Sequence, residues 1–292
     1  MNYEEVLTQL KAWKDETFRR FNERIANVEE GTSLGVRIPM LRSYARMLVK
    51  REDFSWEVLD SFPNTYLEIR MLKCLCTGYA KLSFEQLKER IRKCIPVIDG
   101  WAVCDVFCST LKEIRKHREE YLGELKNFIG EGKEFSQRFA YVLMLGCYME
   151  RESLPFVFEM LDAAQAQYYY TMMGAAWLLA EVLVRFYAEG VTYLQEGKLA
   201  DAAKNKAIVK ACESFRVDAA QKKFLKSLKK ILFCLSTLTT PTTELSNLSF
   251  KNSLFKSSNL FTLFLCQLSL QSYKSFRCMI FELQVDHFLQ PQ

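Results

Sequence analysis

The chain has 292 residues, 49 % of them apolar, and a formal net charge of +5, which suits one large core or two small ones and excludes a globally disordered polymer. Only 11 Gly and 6 Pro are present, too few for an all-β chain that must turn every ~8–12 residues. No C-x-x-C occurs, His117 and His287 have no partner at ligand spacing, and no Gly-rich phosphate loop is found, so zinc-type metal sites, His-assisted nucleophilic catalysis and phosphate-loop chemistry lack their signatures.

The N-terminus, Met-Asn-Tyr-Glu-Glu, is acidic and leads into no apolar run, so no secretory leader is expected. Of the ten cysteines, Cys74, Cys76, Cys104, Cys108 and Cys147 fall on apolar helix faces. Buried free thiols in a reducing cytoplasm are the expected outcome.

Residues 3–28 read as one long amphipathic helix carrying Trp13, Phe18 and Phe21. Gly35 and Pro39 bracket a turn in which Arg37 is expected to cap or pair, and Pro39 suits the first turn of the next helix. That helix continues its apolar side through Leu41, Tyr44, Ala45 and Leu48. Helical patterns then recur in pairs: 53–61 with 65–80, 83–96 with 101–115, 118–129 with 134–149, and 153–164 with 168–187. Further segments follow at 191–198, 201–214 and 218–230, with breaks at Pro63-Asn64, Pro96 to Gly100, Gly130 to Gly132, and Gly190. Helix pairs recurring every ~35–40 residues predict an all-α, curved solenoid of antiparallel HEAT-like pairs. The first domain is expected to span 1–230. From 231 to 292 there is neither Ala nor Gly, charges are rare and no period persists. This low-charge tail is expected to be disordered or extraneous. Its apolar runs are too short for a membrane span.

Trp101 and Asp105 stand four residues apart, so indole and carboxylate share a helix face. Asp105 is the only charge between Asp99 and Lys112, among Val103, Cys104, Val106, Phe107 and Cys108. A carboxylate so placed is a cap, half of a salt bridge within a helical stack, or part of a site. Arg138 shares a stripe with Tyr141, Leu145 and Tyr148, none of which can neutralise it, and Trp177 shares one with Met173, Ala180 and Val184. Arg138 follows Asp105 by 33 residues and Trp177 follows Arg138 by 39. Equivalent positions of successive repeats line one surface, so Trp101, Asp105, Arg138 and Trp177 are expected to converge on one concave patch.

Residues 201–230 hold nine basic residues against three acidic ones, a net +6. Lys222, Lys226, Lys229 and Lys230 share a face opposite Phe224, Leu225 and Leu228. That stripe is either a solvated face or a phosphate-neutralising one. Tyr168-Tyr169-Tyr170 reads as helix-packing aromatic surface, and Glu119-Glu120, without a proton-transfer partner, as solvated.

Taken in order, Gly35-Val-Arg-Ile-Pro-Met-Leu-Arg-Ser-Tyr-Ala-Arg, the Trp101/Asp105 pair, Arg138, the Tyr-Tyr…Ala-Ala-Trp177 segment, and Asn205-Lys-Ala-Ile-Val-Lys followed by Ser214-Phe-Arg-Val make the sequence resemble the DNA alkylation repair proteins of the AlkD type. These are HEAT-like-repeat DNA glycosylases. The likeness runs from the N-terminus to about Lys230. A purine alkylated at N3 or N7 is a good leaving group, and positive charge builds on the deoxyribose as its bond breaks. The resemblance implies that Asp105 stabilises that cation and positions water, while Trp101 and Trp177 turn ring faces to the cationic nucleotide. Arg138 would hold a phosphate beside the lesion and orient Asp105. Lys222, Lys226 and Lys229 would join Arg138 in DNA binding.

The resemblance further implies no metal and no organic cofactor. The expected partner is double-stranded DNA carrying alkylated bases. No membrane association, a monomer and a cytoplasmic location (nucleoid-associated when bound to DNA) complete the expectation. Family members cradle the duplex in the concave face and contact the lesion's backbone without a base pocket. One turn beyond Trp177, where some relatives carry a basic residue, this chain has Ala180 and Glu181, and no second aromatic flanks Trp101. The alternative is a non-catalytic helical-repeat scaffold that binds DNA or protein along the same face.

Overall fold

The computed structural model describes residues 1–26, 28–164 and 168–238, the last nine as helix backbone only. The described chain is helical throughout, with no strand. Fourteen α-helices succeed one another there: α1 Tyr3–Ala12, α2 Glu16–Ala26, α3 Ile38–Leu48, α4 Trp56–Ser61, α5 Leu67–Tyr79, α6 Phe84–Cys94, α7 Trp101–Cys108, α8 Arg118–Gly130, α9 Glu134–Cys147, α10 Leu154–Asp162, α11 Tyr169–Arg185, α12 Tyr187–Glu196, α13 Asp201–Glu213 and α14 Ala219–Leu238.

Capping sets many of these boundaries. Asn2 accepts from the Glu5 N–H at 2.9 Å, and Ser83 and Gln86 form a reciprocal capping box on α6. Asp218 and Gln221 do the same before α14, at 2.8 and 3.1 Å. Each satisfies donors that a helix start leaves open. Pro39 and Pro155 sit in first turns, where no N–H is needed.

The architecture is a two-layered helical-repeat solenoid. Helices α3, α5, α7, α9, α11 and α13 pack each on the next as one continuous ladder, while α6, α8, α12 and α14 pack on α5, α9, α11 and α13. Ion pairs at repeat spacing join the units: Arg92 with Glu124, Arg118 with Glu150, and Lys126 with Glu159 link residues 32 or 33 apart. Ladder helices are covered on both sides; in α5 every residue from Leu67 to Thr77 is buried. Buried charged groups there find partners, as Lys73 shows. The Lys73 ammonium donates to the Asp60 and Phe62 carbonyls and to Asn64 Oδ1 at 2.6–3.1 Å, which closes the C-terminus of α4. Burial pushes its pKa down.

The Gly35 turn depends on one buried carboxylate. Glu68 accepts from Ser33 Oγ and from the backbone N–H groups of Leu34, Gly35 and Val36 at 2.9–3.2 Å. Gly35 has φ +75°, and a Cβ there would lie 2.3 Å from the Asp15 carbonyl oxygen, so only glycine fits. Arg37 pairs with Asp15 at 2.9 Å and lies over the Phe18 ring, as expected of a structural turn.

Three expectations about the helices and one about a side chain need correction. Residues 3–28 are two helices, because Asp15 accepts from the Phe18 N–H at 2.9 Å and starts α2 afresh. The segment 101–115 ends its α-helix at Cys108 and resumes as a 3-10 helix from Lys112 to His117. Gly190 lies inside α12 rather than at a break. A Cβ there would sit 2.9 Å from Leu183 Cδ2, so the glycine serves close helix packing. Glu120 does have a partner, His117 Nδ1 at 2.9 Å. The expected boundary at 231 falls within α14, and the tail beyond Leu238 lies outside the described residues.

Glu68→Ala strips three backbone N–H groups of their acceptor and is expected to lower stability by at least ~3 kcal/mol. Glu68→Gln, which keeps one acceptor oxygen, should cost less. Urea denaturation of the two variants beside the parent checks the order.

Candidate active site on the helix ladder

Asp105 lies in the second turn of α7, whose N-cap is Gly100. It is therefore no cap. Its carboxylate takes a bidentate grip from Arg138 on α9, Nε to Oδ1 at 3.1 Å and an NH2 donor to Oδ2 at 2.8 Å. The remaining terminal nitrogen of Arg138 donates to the Tyr170 carbonyl at 3.2 Å. Burial is the largest single influence and would lower the Arg138 pKa, but the Asp105 charge and hydrogen bond, together with the nearby Cys104 and Cys108, outweigh it and hold the guanidinium more firmly charged. The two partners are unequally covered, with side-chain exposures of 6 % for Arg138 and 20 % for Asp105. The carboxylate is thus the member that reaches solvent.

The helices around the pair are held in register. Glu134, at the start of α9, accepts from the Tyr170 N–H at 2.7 Å, and Thr171 Oγ1 returns a bond to the Glu134 carbonyl at 3.0 Å. A carboxylate on the first turn of α11 also suits that helix's positive end. The Arg138 guanidinium stays 6.0 Å from the Tyr170 ring centroid.

Trp101 opens α7 one turn before Asp105, but it is only 4 % exposed. Its indole N–H reaches the Ile25 carbonyl of α2 at 3.4 Å. In this form Trp101 is a seat beneath α2 and presents no open ring face. Trp177, mid-way along α11, is half-buried, and the Lys210 ammonium of α13 lies 5.8 Å from its ring centroid. Burial lowers the Lys210 pKa, Glu213 works against this, Arg138 lowers it further and Asp105 raises it. Lys210 thereby belongs to the same electrostatic cluster as the ion pair.

Asp105, Arg138, Trp177 and Lys210 come from four consecutive ladder helices, α7, α9, α11 and α13. In sequence, Lys210 is only one of nine basic residues. Its approach to Trp177, at a separation of one repeat, was the available signal. Lys222, Lys226 and Lys229 stand apart from this cluster. They act electrostatically on Cys212, which lies roughly 200° around α13 from Lys210. Lys226 and Lys229 are exposed and Lys222 is half-buried. Of the tyrosine run, Tyr168 and Tyr169 are exposed while Tyr170 packs on Phe135 with centroids 5.5 Å apart.

Among the described residues, no group of three His, Cys, Asp or Glu side chains could hold a metal, and no helix is long and apolar enough to cross a membrane. Cys74, Cys76, Cys94, Cys104, Cys108, Cys147 and Cys212 are free thiols.

No curated protein and no solved structure matches the chain. The model of one family does, and it spans residues 6–215, which takes in the Gly35 turn and every ladder helix from α3 to α13. On that match, with an all-helical repeat fold beneath it, the chain belongs to the DNA alkylation repair enzyme family, and is an enzyme of DNA repair with DNA as its partner.

Proposed function

We propose that the protein is a DNA glycosylase that hydrolyses the N-glycosidic bond of N3- or N7-alkylated purines in duplex DNA. The observation that supports this is a carboxylate inside an apolar helix, fixed by a buried arginine and still facing solvent. In the proposed reaction the C1′–N9 bond breaks and its electron pair leaves with the alkylated base, which departs neutral. Positive charge develops on the deoxyribose. Asp105 lies where a fixed negative charge can stabilise that cation and hold the attacking water, and a preorganised charge acts at its best in such a partly desolvated place. Water then adds at C1′ and loses a proton, leaving an abasic site.

Arg138 acts through Asp105 as a positioning residue, since its guanidinium is buried against the carboxylate. Lys210 takes the phosphate beside the lesion, and Trp177 offers its ring to the cationic nucleotide. Trp101 anchors the start of α7 so that Asp105 holds its place. One observation favours the scaffold reading: both Asp105 oxygens are already bound by Arg138. The two readings part on base release.

Asp105→Asn keeps the shape and removes the charge. It is expected to bind methylated duplex as well as the parent while releasing free alkylated base at least 100-fold more slowly, a loss of ~2.7 kcal/mol in transition-state stabilisation. A parent protein that releases no base would leave the scaffold. A fall in activity no larger than the fall in folded fraction would make Asp105 structural.

The ion pair is also lopsided. Asp105→Ala strands a buried guanidinium and should cost about 3–5 kcal/mol, whereas Arg138→Ala leaves a partly solvated carboxylate and should cost less. Denaturation midpoints give the order directly.

For the α14 stripe, replacing Lys222, Lys226 and Lys229 by Gln should flatten the log–log salt dependence of duplex binding by ~0.9 for each phosphate no longer neutralised. An unchanged slope would make the stripe a solvated face.

A further inference from the structure

Two arginines on the ladder face no carboxylate. Among the 16 described arginines, 12 are in ion pairs, so an arginine without a counter-charge is the exception. Arg42 and Arg46 stand one turn apart on α3, where like charges repel, and both turn to one neutral group. Arg42 donates to Tyr79 Oη at 2.8 Å and to Ser109 Oγ at 2.7 Å. Arg46 donates to the same Tyr79 Oη at 3.1 Å, its guanidinium 4.1 Å from the ring centroid.

The hydrogen-bond inventory of this cluster is one-sided. Two guanidiniums carry ten N–H donors between them in the general case, and only three hydrogen bonds are made here. Tyr79 Oη accepts twice, which leaves its own O–H as a further donor. Ser109 Oγ gives its proton to the Val106 carbonyl at 2.6 Å. Donors and positive charge therefore converge without a counter-charge, and a tetrahedral oxyanion supplies what is missing.

Three successive ladder helices build the cluster, and the fold is shaped to admit it. A Cβ on Gly78 would lie 1.8 Å from Thr110 Oγ1. Only glycine lets the end of α7 close on the end of α5 and bring Ser109 beside Tyr79 and Arg42. Ser109 follows Asp105 by four residues, or ~6 Å along the helix. Duplex DNA advances 3.4 Å per nucleotide along each strand.

We propose that Arg42, Arg46 and Tyr79 form an anion subsite that takes one phosphodiester of duplex DNA, within roughly three nucleotides of the sugar that faces Asp105. The subsite extends the DNA-binding surface toward the N-terminal repeats. It deepens the reading of Asp105 as the lesion-facing group, but it is read out by binding, so it fails or stands apart from base release.

The test uses the full chain. Arg42→Gln/Arg46→Gln is expected to weaken binding to undamaged duplex and to flatten the salt slope by ~0.9, the equivalent of one phosphate. Arg42→Lys/Arg46→Lys keeps both charges and should keep the slope. On duplexes carrying an abasic-site analogue, neutral methylphosphonate linkages are then scanned one at a time. One linkage within three nucleotides of the analogue should weaken the parent at least threefold and leave the double Gln variant unaffected. An unchanged slope overturns the proposal, as does a scan in which no linkage loses its effect in that variant. A drop in thermal stability large enough to account for the weaker binding also overturns it. Inorganic phosphate provides the last arm. If millimolar phosphate stabilises the parent through these arginines without competing with duplex, the subsite serves free phosphate and the DNA assignment fails.

Discussion

A fully buried guanidinium is stable within an apolar helix ladder when a counter-charge arrives from a neighbouring helix at the right height. Arg138 is such a group, and Asp105 meets it from the preceding repeat with two parallel hydrogen bonds. That pairing ties α7 to α9, while Glu134 ties α9 to the first turn of α11. Height and rotation of three ladder helices are thus coupled through two charged contacts. Trp177 and Lys210 then take places that follow from the stacking alone. The carboxylate that stabilises the stack is also the member of the pair that reaches solvent.

Polar residues divide between the two faces of this solenoid by partner. Away from the ladder, arginines and lysines meet glutamates at repeat spacing, as Arg118 does with Glu150 and Lys126 with Glu159. Such exposed pairs contribute little energy each, and they set register between units. On the ladder, cations are more often held by hydroxyls, carbonyls and rings. Arg42 and Arg46 are held there by hydroxyls and a ring rather than by a carboxylate, which suits a surface that meets a polyanion.

Much of this was legible in the sequence, because helical periodicity and repeat length are local signals. The helix pairs from 53 to 187 follow from them, and so does the stacking of Asp105 against Arg138 at a separation of 33. What was missed depends on neighbours. Asp15 splits the first helix through a side-chain cap that looks, in sequence, like one more charge on an amphipathic surface. Gly190 reads as a breaker, yet it is a contact point with Leu183. The burial of Trp101 requires α2 above it. Lys210 could be separated from the other lysines only by knowing which side of α13 meets α11. Arg42 reaches Ser109 across 67 positions, a distance at which no periodic pattern carries information.

The ladder described above has a kinetic consequence. Each helix touches little beyond its neighbours in the stack, so nearly all packing joins residues within about one repeat of each other in the chain. Low contact order of this kind favours rapid folding, and a linear array loses its end units at lower cost than its middle ones. Asp105 and Arg138 occupy the central rungs, with two ladder helices on either side. Fraying at either end therefore reaches them last. Hydrogen exchange should be slowest around this ion pair, while the outlying rungs open at lower cost.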